Sequence, residues 1–118
     1  MDSLIVYTAA AVSEEDLHAF VGERGGYWNH GPAVDEGVIE YVDGALYIGP
    51  FPAYADEVES HELISLTASL GTQPAGAISI HIPGGDRLHA VAARVAREIA
   101  ARWQGYVYGQ DGDFRTAK

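Results

Sequence analysis

Residues 77–103 read AISIHIPGGDRLHAVAARVAREIAARW, and the hydrophobic period changes once within this stretch. Ile78, Ile80 and Ile82 alternate with Ser79 and His81, the period of two expected of a strand with one buried face. After Pro83-Gly84-Gly85 the period becomes helical: Leu88, Val91, Ala92, Val95, Ile99 and Trp103 make one stripe, with Arg94, Arg97 and Ala101 opposite. Asp86 is the expected N-cap, Gly105 the expected stop, and residues 106–108 the expected last strand, before a loosely ordered tail over residues 114–118.

Working outward, the chain repeats this kind of alternation. Residues 4–11 form an apolar run suited to a buried first strand. Ser13 with Asp16 three residues on resembles a capping box, Glu14, Glu15 and Asp16 suit the positive end of a helix dipole, and Leu17, Phe20 and Val21 supply its inner face. Residues 27–36 break both periods at Asn29, Gly31 and Pro32 and read as irregular. Residues 38–42 and 45–48 flank Asp43-Gly44, which predicts a two-residue type I′ hairpin. Val58, Leu63, Leu66 and Leu70 predict a helix beginning near Tyr54 or Asp56 and stopping at Gly71.

The order β-α-β-β-α-β-α-β predicts a single α+β domain over residues 1–118, with a mixed sheet built as a ferredoxin-like plait carrying an added αβ unit. Helices on one face leave Ser79 and His81 on the other, an open surface for a partner or for a homodimer.

Charge narrows the range of partners. The chain holds 17 acids and 7 bases, for a net −10 in 118 residues. Arg24 is the lone base before Arg87, against 14 carboxylates, so the first 86 residues carry −13. Phosphate backbones and anionic membranes repel such a surface, and a cationic protein partner is favoured over nucleic acid or lipid. No cysteine is present, which removes thiol catalysis and cysteine-held zinc. The opening residues lack the basic n-region of a signal peptide, so a cytoplasmic location is expected.

No assembled catalytic motif stands out. His61-Glu62 is followed by Leu63, Ile64 and Ser65, without the second histidine that a zinc-binding helix needs. The serines lack the glycines of a nucleophile elbow. Pro83-Gly84-Gly85-Asp86 opens a helix, but Asp86 competes with any anion for its amides. His81 and His89 are the pair that could meet across this turn, and neither a metal nor a cofactor is expected. The candidate partner-binding residues are Tyr27, Trp28, His30, Asp35 and Glu36, together with Tyr54, Asp56, Glu57 and Glu59, where rigid aromatics sit beside acids.

The strand at residues 78–82, the alanine- and arginine-rich helix at residues 88–103 and the exit Trp103-Gln104-Gly105-Tyr106-Val107 resemble the small immunity proteins of bacterial polymorphic-toxin and secretion-system effector pairs. That resemblance implies a non-enzymatic cytoplasmic inhibitor occupying the cleft of a cognate, basic toxin. Two alternatives remain open: a small ligand-binding or catalytic domain using the open sheet face around His81, and an oligomeric scaffold or regulatory subunit. A pocket of several hundred Å3 would favour the first, and a broad exposed apolar patch the second.

Overall fold

The computed structural model describes residues 2–30, 35–50, 71, 75–108 and 114–116. Its elements are β1 (Asp2–Thr8), α1 (Glu14–Glu23), β2 (Tyr27–His30), β3 (Asp35–Tyr41), β4 (Gly44–Pro50), β5 (Gly76–Ile82), α2 (Asp86–Trp103), β6 (Gly105–Tyr108) and β7 (Phe114–Thr116). The helix predicted to begin near Tyr54 or Asp56 lies outside the described residues.

One α+β unit results, with the strands in a seven-stranded sheet of order β2-β3-β4-β5-β1-β6-β7. Every described ladder is antiparallel, which overturns the expected mixed sheet. The reason lies in where the crossovers land. Strands β5 and β6, joined through α2, run the same way but are separated by β1, which is antiparallel to both. The order also departs from the expected plait with an αβ addition, because β2, β3 and β7 are added as antiparallel neighbours at the two edges.

The alternation in β5 behaves as read from its sequence. Ile78, Ile80 and Ile82 are buried, while Ser79 is half-buried and His81 exposed. Residues directly opposite in a ladder share a face, so Val6 meets Ile78 and Val107, and Ile48 meets Ile80. These side chains pack beneath Leu17, Phe20 and Val21 of α1 and Leu88, Ala92, Val95, Ile99 and Trp103 of α2 in one core. A fully buried isoleucine of this kind contributes on the order of 2 kcal/mol.

Helix α1 starts as expected, with the Ser13 hydroxyl accepting from the Asp16 amide at 3.0 Å. Helix α2 does not. Asp86 is its first helical residue and Gly85 its N-cap, with no side-chain cap bond. Instead, the His89 ring, through Nδ1, lies 2.8 Å from the Gly85 carbonyl oxygen and donates to it in the Nδ1–H tautomer. At the other end Gln104 takes the left-handed conformation (φ 55°) expected of Gly105. Gly105 is required for a different reason: a Cβ there would stand 2.7 Å from the Tyr7 carbonyl oxygen.

The β3–β4 hairpin forms one residue earlier than its sequence suggests. Tyr41 pairs with Gly44, leaving Val42 and Asp43 as the loop. Neither loop residue has positive φ, so the turn is not type I′; the positive φ falls on Gly44. A β-branched valine disfavours the left-handed region, which moves that burden onto the glycine. Residues 27–30, expected to be irregular, pair with β3 as a strand. Residues 114–116 of the expected loose tail pair with β6.

Candidate functional site

Pairing β2 with β3 brings together residues that the sequence leaves unconnected. His30 lies opposite Asp35 and Trp28 opposite Gly37, so their side chains share the helix-bearing face. Gly37 makes room for the indole, since a Cβ there would meet Trp28 ring carbons at 3.1 Å and a Val21 methyl at 2.6 Å. The indole therefore packs against the margin of the core while its Nε1–H donates to Asp35 Oδ1 at 2.5 Å. His30 Nδ1 lies 3.2 Å from the same oxygen.

His18 completes this corner from α1. Its ring centroid is 4.0 Å from that of Trp28 and 5.5 Å from that of His30. Its buried Nε2 has no hydrogen-bond partner among the described residues and lies 3.5 Å from Glu14 Oε1, one helical turn earlier. Nothing in the sequence beyond the Glu14/His18 spacing marks His18, because its contact with Trp28 depends on where α1 crosses the β2–β3 hairpin.

Of the residues proposed from sequence, Trp28, His30 and Asp35 thus converge. Tyr27 and Glu36 lie on the opposite face of the sheet, Tyr27 exposed and Glu36 half-buried. Tyr54, Asp56, Glu57 and Glu59 lie outside the described residues. His81 and His89 do not come together: His81 is exposed on the face opposite the helices, whereas His89 sits on α2. That face is not open throughout as expected, since Tyr7, Val38 and Ala77 on it are buried.

The electrostatics divide the acids into two groups. Glu98 of α2 accepts from Arg24 Nε at 2.7 Å and from Arg24 Nη2, and the Arg24 guanidinium carbon stands 3.5 Å above the Phe20 ring. Glu23 takes two bonds from Arg102, at 3.0 and 3.3 Å. Arg87 lies 4.0 Å from Asp43. The lone base of the first 86 residues is therefore consumed in tying α1 to α2. The second group is Glu14, Glu15 and Asp16 on α1 with Asp35, Glu36 and Glu40 on β3, none of which has a lysine or arginine partner among the described residues.

A cleft of about 260 Å3 opens beside this corner, lined among the described residues by Ser13, Glu14, Leu17, Asp35 and Pro50 with others. It falls just short of the usual range for small-molecule pockets. Among the described residues no group of three histidines or acids has the geometry to hold a metal ion, and no helix is long and apolar enough to cross a membrane. The large hydrophobic side chains exposed among them are Tyr27 and Val42, which make no broad apolar patch. A scan of protein-family models, a search of curated proteins and a search of solved structures find no match to this chain.

Proposed function

We propose that the chain is a non-enzymatic protein-binding inhibitor, of the immunity type, that neutralises a partner with a basic surface by covering its cleft. The observation that carries this reading is the corner formed by Trp28, His30, Asp35 and Glu14. A rigid aromatic is held in place by a carboxylate there, and the neighbouring acids lack Lys or Arg partners among the described residues. Uncompensated acids steer a cationic partner and speed its association, while a fixed tryptophan loses little side-chain freedom on contact. Such a role needs no catalytic group, and the cytoplasm is the location it suits. We read the middle strands β4-β5-β1-β6 as a ferredoxin-like plait that serves as the rigid support.

The test is co-expression with the product of each adjacent open reading frame, followed by size-exclusion chromatography. Rescue of growth and a stable complex are expected with one of them. Substituting Glu15→Lys and Glu36→Lys should slow association about tenfold and flatten its dependence on salt. Absence of both rescue and complex with every neighbour would remove the inhibitor reading.

A further inference from the structure

We infer that the outer edge of β2 is the line along which the partner docks, by adding an extended, lysine- or arginine-bearing strand to the sheet. This deepens the inhibitor reading and takes the partner's charge from it. Among the described residues the sheet order ends at β2, so one side of Tyr27–His30 has no neighbouring strand among them. Antiparallel ladders alternate between pairs that exchange hydrogen bonds and pairs that do not, and the pair closing a two-residue hairpin loop exchanges them. Tyr41 and Gly44 are that closing pair. Counting back along β3, Val38 and Glu36 turn their backbone groups toward β2, where they face Tyr27 and Asn29. The N–H and C=O groups of Trp28 and His30 therefore point outward, a template for another strand.

Exposed edges usually carry protection in the form of a lysine, a proline or a bulge. Tyr27–His30 contains none of these, and its register against β3 is continuous. The flanks state what fits. On one face an added strand meets Trp28 and His30 with Asp35 and Glu14, and on the other Tyr27 with Glu36 and Glu40. Both faces are acidic, and Arg24, the only base before Arg87, is engaged with Glu98. A second copy of the chain, itself at −10, is repelled from this edge, whereas a cationic strand is drawn to it.

The probe is a seven-residue peptide alternating lysine with valine and threonine. It is compared with a glutamate-for-lysine twin and with a twin N-methylated along one backbone edge. Amide hydrogen exchange of the full chain is followed by NMR. With the lysine peptide at saturation, exchange at Trp28 and His30 should slow at least tenfold, while Tyr27 and Asn29, already bonded to β3, change little; neither twin should protect. No protection, or shifts confined to Glu14, Glu15 and Asp16, would overturn the inference. So would protection that rises with protein concentration in the absence of peptide, which would assign the edge to a second copy.

Two variants address the same point with a gene-neighbour partner. His30→Pro removes an outward N–H without costing a ladder bond, and His30→Ala removes only the imidazole. His30→Pro should weaken binding at least tenfold more than His30→Ala, at matched melting temperature; if His30→Pro fails to fold, the N-methylated peptide carries the comparison. A partner that binds both variants equally defeats the edge and leaves the inhibitor reading standing. Peptide protection with no neighbouring gene product bound defeats the inhibitor reading and leaves the edge.

Discussion

Replacing Arg24 with methionine tests whether the lone base of the acidic stretch serves the fold or the partner. The guanidinium donates to Glu98 through Nε at 2.7 Å and through Nη2, donates from Nη1 to the Phe20 carbonyl at 3.1 Å, and lies over the Phe20 ring. In a dry interior the charged bonds alone would be worth about 3 kcal/mol. Here Arg24 is 24% and Glu98 41% exposed, so water screens the pair and rehydrates the carboxylate that is left behind. About 1 kcal/mol is then a fair value for the pair, with about 0.5–1 kcal/mol more from the cation over the ring. Methionine keeps an apolar stem against Phe20, so the loss reports the charge rather than the packing. The expected total is about 2 kcal/mol, which for a chain of this length lowers the melting temperature by about 8 °C. Thermal and urea unfolding of Arg24→Met, Glu98→Gln and the double variant would measure it. A double-mutant coupling of about 1 kcal/mol is expected, shrinking in high salt. A melting temperature within 2 °C of the parent, or strictly additive single effects, would refute the structural role and return Arg24 to the surface as a contact residue.

Two glycines beside the same helix should respond in opposite directions. A Cβ at Gly22 meets nothing within 4 Å, so Gly22→Ala should stabilise the chain by about 0.5 kcal/mol through helix propensity. At Gly26 it would fall 2.5 Å from the Val38 carbonyl oxygen and 2.7 Å from a Val21 methyl, so Gly26→Ala should cost about 3 kcal/mol; equal melting temperatures would contradict the packing of α1 on β3. Burial, followed by the Glu98 carboxylate, raises the Tyr41 phenol above its ordinary 10.0, against opposing effects from Arg24 and Arg94. The folded chain then holds this proton where the unfolded chain has released it, so stability should fall as pH rises through about 10 toward the folded value. Tyr41→Phe should flatten that part of a urea-unfolding profile, and an unchanged slope would assign the loss to other groups.

The parts of the site differ in how far they are legible in sequence. Trp28, His30 and Asp35 attract notice as aromatics beside an acid, yet residues 27–30 read as irregular. The strand is only four residues long and its outer side is exposed, so three of its four side chains are exposed and the burial pattern that marks a strand is nearly absent. Its existence depends on β3 lying alongside. His18 joins the corner only because α1 crosses this hairpin. Glu14, Glu15 and Asp16 look like ordinary capping residues, and their lack of Lys or Arg partners among the described residues emerges only when Arg24 and Arg102 are found committed elsewhere.

The sequence by itself determined what depends on neighbours a few positions apart: the Ser13 cap, the inner face of α1, the stripe of α2, the alternation of Ile78, Ile80 and Ile82, and the presence of a hairpin near Asp43. Each is a pattern of period two or 3.6, or a local bond between a side chain and a nearby amide. The tertiary structure alone decided the strand order, the antiparallel direction of the described ladders other than the β3–β4 hairpin, the sharing of Asp35 by Trp28 and His30, and the pairing of Arg24 with Glu98 across 74 positions. These depend on which apolar faces pack together. Local propensity carries no term for a contact between residues so far apart along the chain.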